Sequence, residues 1–149
     1  MIALPWYGFA VGAAIMWGLA YVLAEELIQK RGVPPSFLIF IEAFIAIPLY
    51  IILVQITGGF KTGIIATFSQ TSTTLMVFAL GFFVMLGNYF IVQSISEKNA
   101  TMTSFIEISY PLFTIIFVWL FLGKFDLNIY TGVGAFFIMC GVGIMILKG

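Results

Sequence analysis

The sequence contains no histidine and a single cysteine, and each shortage excludes a class of function. Without histidine, neither a Ser–His catalytic pair nor a zinc site of cysteine and histidine can form. Cys140 cannot form a disulfide within the chain, and we expect it to be an apolar filler in the last apolar run. Asp126 is the only aspartate, so an aspartyl dyad lacks its second carboxylate. We therefore expect no enzymatic activity, no metal site and no cofactor.

Charge is also scarce. Charged residues make up 8% of the 149 residues, whereas a soluble domain carries roughly 25%. Hydrophobic residues make up 62%, and a mean hydropathy of +1.18 leaves too little polar surface to coat a water-soluble globule. The six basic and six acidic residues cancel without a basic run, so nothing attracts a nucleic acid. The composition indicates an integral membrane protein.

Apolar runs long enough to cross a bilayer recur along the chain. A hydrocarbon core of about 30 Å requires about 20 apolar residues in a helix. Five segments meet this length: 6–27, 36–57, 74–94, 102–122 and 129–147. They lack the alternation of barrel strands, and backbone groups in lipid must be satisfied within the segment, so helices are predicted. The first run is too long for a signal-peptide core, so we expect an uncleaved first span. The prediction is an all-α membrane protein with one domain over residues 1–149.

Two connectors carry predictions of their own. In the connector at 58–73, apolar residues recur at helical spacing, so both a short helix at the membrane surface and a plain loop fit the sequence. The connector at 123–128 contains one basic and one acidic residue, Lys124 and Asp126, and is predicted to be a turn.

Positive charges divide unevenly between the two sides of the predicted bundle. Five spans place the chain ends on opposite faces. Lys61 and Lys124 share the side of the N-terminus, and the other side has Lys30, Arg31, Lys98 and Lys148. This bias favours a cytoplasmic C-terminus in the cell (inner) membrane. It is weak enough that insertion in both orientations stays open.

The fourth span carries a polar stripe. Thr103, Glu107, Tyr110 and Thr114 are spaced four, three and four residues apart, which places them on one helix face. Pro111 has no N–H to donate to the carbonyl of Glu107, so a kink is predicted there. Kinked or broken helices near the membrane interior are where transporters build their sites. We therefore predict that Glu107 and Tyr110 bind a substrate or a coupling proton, with Pro111 permitting the bend.

Glu42 in the second span repeats part of this pattern, since Pro48 follows it by six residues. The order of the spans places Glu25, Glu26, Glu42 and Glu107 in the same half of the bilayer. Carboxylates clustered in a low dielectric cannot all stay ionised, so such a group can take up and release protons or exchange a proton for a cation. The alternative is that Glu42 and Glu107 reach the membrane surface or pair with basic side chains there.

Three further residues are candidates for a cavity. Trp17, Tyr21 and Glu25 are four residues apart on one face of the first span, and two aromatic rings leading to a carboxylate suit an organic cation. The same rings are equally consistent with lipid or core contacts. Asn88 in the third span is either a ligand-binding amide or a hydrogen-bonding group between helices.

Three segments together resemble a known family. They are "AAIMWGLAYVLAEELI" (13–28), "SEKNATMTSFIEISYPLFTIIFVWLFLGK" (96–124) and "IYTGVGAFFIMCGVGIMIL" (129–147). In order and spacing they are similar to the EamA-type repeat of the drug/metabolite transporter superfamily, and the resemblance covers nearly the whole chain. The repeat usually has a glutamate after the Leu-Gly, where this chain has Lys124. The role of that glutamate is therefore not carried over.

The resemblance implies a secondary transporter. Family members commonly have two repeats in inverted topology, and this chain holds one. It implies half of a transporter that works as an antiparallel homodimer or pairs with a separate half. Such a dimer would move small metabolites or organic cations across the membrane, with coupling to protons as an option. The alternative is a non-transporting membrane subunit or scaffold of a larger transporter. A four-helix small multidrug-resistance protein fits poorly, because five spans are predicted.

Overall fold

The computed structural model describes residues 5–124 and 128–148, and this part of the chain is helical. A π-helical turn at Glu26–Lys30 continues the first helix. The α-helices are α1 (Trp6–Glu25), α2 (Pro35–Ile56), α3 (Phe60–Phe68), α4 (Thr71–Glu97), α5 (Ala100–Glu107), α6 (Tyr110–Leu122) and α7 (Ile129–Lys148). The predicted all-α fold is confirmed.

Five helical segments of the described residues are long and apolar enough to cross a membrane. They are Trp6–Lys30, Pro35–Ile56, Thr71–Glu97, Ala100–Leu122 and Ile129–Lys148. Most of their large apolar side chains are exposed, as expected for helices whose outer surface meets lipid tails instead of water. The prediction of five transmembrane helices is confirmed, and the chain is an integral membrane protein in contact with lipid.

The connector at 58–73 contains a helix and is not a plain loop. Before it, Gly58 adopts a φ of 67°, which glycine allows without steric cost, and α2 ends at this point. Helix α3 then runs from Phe60 to Phe68. Part of the turn predicted at 123–128, including Asp126, lies outside the described residues.

The chain divides into two compact units. One unit comprises Met1–Glu25 and Glu97–Gly149, and in it α1 and α7 both pack against α5. The other unit comprises Glu26–Ser96, which holds α2, α3 and most of α4. The organisation of residues 1–149 as a single domain stays a prediction.

The fourth span is interrupted in its middle. Helix α5 ends at Glu107 and α6 begins at Tyr110, so Ile108 and Ser109 lie between two helices. Pro111 is the second residue of α6, a position where the missing N–H has no helical partner to lose. The interruption places the carboxylate of Glu107 at the end of a short helix instead of in the middle of a long one.

Candidate functional site

The N-terminus of α5 is capped twice. The Asn99 side chain accepts a hydrogen bond from the Met102 N–H at 2.7 Å, which is a regular N-cap. The Ala100 N–H donates to Glu25 Oε2 at 2.6 Å. A carboxylate at this end of a helix satisfies an otherwise orphaned donor and interacts favourably with the helix dipole. Glu25 is therefore a structural cap that joins the end of α1 to the start of α5.

Tyr21 lies one helical turn before Glu25 and holds the other end of α5. Its hydroxyl donates a hydrogen bond to Glu107 Oε2. The Tyr21 side chain is buried, with 5% of its surface exposed. Glu25 thus contacts the first residue of α5, and Tyr21 contacts its last residue. These two hydrogen bonds fix α5 against α1. The Tyr21 hydroxyl thereby holds the Glu107 carboxylate against α1.

A cavity of about 770 Å³ lies beside the Tyr21–Glu107 hydrogen bond. It is lined by Ala10, Ala13, Ala14, Trp17, Gly18 and Tyr21 of α1 and by Ser104, Phe105, Glu107, Ile108 and Tyr110 of the interrupted span. The small residues of α1 leave the space open, and the wall is apolar apart from the carboxylate and a few hydroxyls. Cavities of about 300–1,000 Å³ with this kind of lining are typical of small-molecule sites. We refer to it as the Glu107 cavity.

The second compact unit has a cavity of its own, of about 360 Å³. It lies between α2 and α4 and is lined by Ile39, Glu42, Ala43, Ala46, Tyr50, Gly81, Val84, Met85 and Asn88. We refer to it as the Glu42 cavity. Sequence reasoning did not select Tyr50, although its spacing of eight residues from Glu42 on one helix face was a usable signal.

The predicted site residues therefore fall into two sets. Trp17, Tyr21, Glu107 and Tyr110 line the Glu107 cavity. Glu42 and Asn88 line the Glu42 cavity, which shares no lining residue with the first. The functional roles assigned to these residues stay predictions.

Half of the predicted polar stripe does not line the Glu107 cavity. Thr103 is buried, with 5% of its surface exposed, and the Thr114 hydroxyl donates to the Tyr110 carbonyl of its own helix at 3.1 Å. The four residues share one face only if the helix is regular throughout. The interruption at Ile108 and Ser109 changes the helical phase between the two halves of the stripe.

Glu26 forms ion pairs near the end of the first span. Lys30 Nζ lies 2.6 Å from Glu26 Oε2, and Arg31 Nε lies 3.7 Å from Glu26 Oε1. The basic side chains are largely exposed, at 73% for Lys30 and 70% for Arg31. Pairs this exposed contribute little to stability, so Glu26 is a surface residue of the π-helical turn.

Comparison with known protein families adds one finding to this geometry. A model of the EamA-like transporter family matches residues 4–147, a range that contains every residue lining the two cavities. Comparisons with curated proteins and with solved structures gave no match.

Proposed function

The chain belongs to the EamA-like transporter family, and on this premise we propose that it is a secondary transporter of small metabolites or organic cations. The observation that carries the proposal is the Tyr21–Glu107 hydrogen bond at the wall of the Glu107 cavity. An ionisable side chain within a membrane span is costly unless it has a partner or faces a protein-lined space. Here it has both a partner and a space large enough for a metabolite.

The lining of the Glu107 cavity favours a ligand with a positive charge. The rings of Trp17 and Tyr21 lie 5.9 Å apart between centroids, and the Tyr110 ring lines the same cavity. Aromatic faces attract a cation within about 6 Å of the ring centroid. The Glu107 carboxylate supplies the opposite charge, so this residue binds either the cationic group of the substrate or the proton that is exchanged for it.

The interrupted span gives the proposed transporter a place to bend. Helix α5 is held on α1 by Glu25 and Tyr21, whereas α6 begins only after Ile108 and Ser109. A change at these two residues reorients α6, with Tyr110 at its start, relative to Glu107. Discontinuous helices beside a binding site are a recurrent feature of carriers that work by alternating access.

The proposed working form contains two five-helix copies in the cell membrane, as an antiparallel homodimer or as a pair with a separate half. The exposed position of Glu42 on a membrane-spanning helix supports this. A carboxylate in a cavity that is open toward lipid is unfavourable, and a second copy would close the open side of the cavity that Glu42 lines.

The experiment begins with a thermal-shift screen of the purified chain against metabolite classes at two pH values. Binding and proteoliposome transport of the compound selected are then compared between wild type and Glu107→Gln. The amide keeps the size of the side chain and cannot ionise, so pH-dependent binding and transport are expected to be lost. Glu26→Gln, at the exposed ion pair, is the matched control and is expected to behave as wild type.

Unchanged transport by Glu107→Gln would remove this carboxylate from the mechanism. Crosslinking in native membranes addresses the assembly. Recovery of the chain only with an unrelated large partner would favour a scaffold over a transporter.

A further inference from the structure

Glu42 differs from the other glutamates that the structure describes. Glu25 accepts a hydrogen bond from Ala100, Glu26 pairs with Lys30, and Glu107 accepts the Tyr21 hydroxyl. Glu97 also has a partner. For Glu42, neither a hydrogen bond nor an ion pair is found within residues 5–124 and 128–148. Its carboxylate therefore lines a cavity without a protein group to balance its charge.

The helices that form the Glu42 cavity offer no basic side chain. Neither α2 nor α4 contains a lysine or an arginine, and Glu42 is the only charged residue of α2. A carboxylate inside a membrane span requires a counter-charge or a proton. Since the walls do not contain a positive charge, the counter-charge or the proton must come from outside the cavity.

Two more polar side chains line the same cavity as the carboxylate. Glu42, Ala46 and Tyr50 follow one another at intervals of four along α2, so they share a helix face. Asn88 lines the cavity from α4. The amide oxygen and the phenol oxygen add two acceptors for N–H donors, and the Tyr50 ring adds an aromatic face that attracts cations.

The volume of the cavity and its number of oxygen ligands favour an organic cation over a bare metal ion as the ligand. Hard metal ions such as Ca²⁺ take about six to eight oxygen ligands at about 2.3–2.6 Å. The Glu42 cavity offers the side-chain oxygens of three residues in about 360 Å³, which is too few in too large a space. That volume lies within the range of about 300–1,000 Å³ for small-molecule sites. Ala46, Val84 and Met85 provide an apolar wall for the carbon skeleton of such a ligand.

We propose that the Glu42 cavity binds a small organic primary ammonium ion. The ammonium group donates to Glu42 and Asn88, and its apolar part packs against Met85 and Tyr50. The place of this site in transport rests on the proposed function, because only a carrier moves what it binds. The binding itself is independent of transport and can be measured separately.

The test uses 2-phenylethylammonium as the probe and 2-phenylethanol as its uncharged counterpart. Equilibrium dialysis of the full chain in detergent micelles is expected to show saturable binding of the amine alone. Glu42→Gln is expected to weaken it at least about tenfold, as for a lost hydrogen bond to a charged group. Asn88→Ala removes a weaker contact and is expected to weaken it about fivefold. Glu26→Gln is the matched control, because it makes the same change at an exposed ion pair that lines neither cavity, and it is expected to leave amine binding intact.

Equal binding of the amine by wild type and Glu42→Gln would overturn the proposal, as would equal binding of amine and alcohol. Circular dichroism and gel filtration establish that each variant is folded. If Glu42→Gln does not fold, Asn88→Ala is used to test the proposal instead. Unchanged amine binding in Asn88→Ala would then overturn the proposal. Absence of transport by the wild type, together with amine binding lost in Glu42→Gln, refutes the proposed function and supports this site. The reverse pattern refutes only this site.

Discussion

The second and fourth spans both contain a glutamate with a proline four to six residues after it, but only one of the two helices is interrupted there. In the fourth span the helix stops at Glu107 and restarts at Tyr110, just before Pro111. In the second span α2 continues without interruption through Pro48. A proline in a membrane helix therefore does not by itself break the helix. It removes one backbone hydrogen bond, and the surroundings decide whether the helix ends there.

The two glutamates also differ, in whether their carboxylates have a hydrogen-bond partner. Glu107 is fixed by the Tyr21 hydroxyl at the point where its helix ends. Glu42 lies on a continuous helix, is exposed, and has no partner among the described residues. The comparison indicates a carboxylate fixed by a hydrogen bond in one unit and an exposed carboxylate without a partner in the other.

The largest expected difference between the two spans is in the response to proline replacement. Pro111→Ala restores an N–H that can donate to the Glu107 carbonyl, so α5 and α6 can join into one helix and the bend is lost. Transport is expected to fall about tenfold, which corresponds to about 1.4 kcal/mol in the barrier. Pro48→Ala restores an N–H in a helix that is already continuous, so its transport is expected to stay within about twofold of wild type. Proteoliposome uptake at equal protein content measures both.

An equal loss in both variants would show that the interruption before Pro111 has no particular role in transport. Both prolines would then matter only for folding or insertion.

The next effect concerns the hydrogen bond that positions Glu107. Tyr21→Phe removes the hydroxyl from a buried side chain and leaves the carboxylate without its donor. The free energy of unfolding is expected to fall by about 1.5–3 kcal/mol, the range for hydrogen bonds to charged groups. SDS titration followed by circular dichroism measures it. Tyr110→Phe removes the hydroxyl of a ring that is 63% exposed, and a smaller change is expected. If the two variants are equally stable, Tyr21 does not hold Glu107.

The smallest expected effect is the difference in stability between variants of the two adjacent glutamates at the end of the first span. Glu25→Ala removes a carboxylate that caps α5, and loss of a helix cap costs about 0.5–2 kcal/mol. Glu26→Ala removes an exposed pair with Lys30, for which about 0.3–0.5 kcal/mol is expected. The same SDS titration compares them. A larger loss for Glu26→Ala would mean that the cap on α5 is not maintained in the micelle.

Much of the fold could be predicted from the sequence because lipid imposes one strong rule. Apolar runs of about 20 residues have to be helices, and this placed the five spans. The pairing of Trp17 with Tyr21 and that of Glu107 with Tyr110 were also accessible, since each pair shares a span and lies about one helical turn apart. Asn99 before Ala100 is a sequence signal of an N-cap, and it marks the start of α5.

The rest depended on tertiary contacts that helical spacing does not encode. Nothing in the sequence shows that Glu25 reaches the Ala100 N–H, 75 residues away. Pro111 predicted a kink beside Glu107, but it did not show that the helix would stop for Ile108 and Ser109 and so divide the predicted stripe. Glu107 lines a cavity of one compact unit and Glu42 a cavity of the other, and the cluster of carboxylates stays a prediction.

The most direct test of the account is whether water reaches position 107 through a protein-lined space. Cys140 is the only cysteine, so Cys140→Ala gives a cysteine-free background. Single cysteines are then introduced as Glu107→Cys and, on the outer surface of α1, as Val22→Cys. Both variants are treated in proteoliposomes with a charged, membrane-impermeant thiol reagent. Val22 is 64% exposed and does not line the Glu107 cavity. The account predicts labelling at 107 and no labelling at 22. Equal absence of labelling at both positions would place Glu107 against lipid and contradict the central claim.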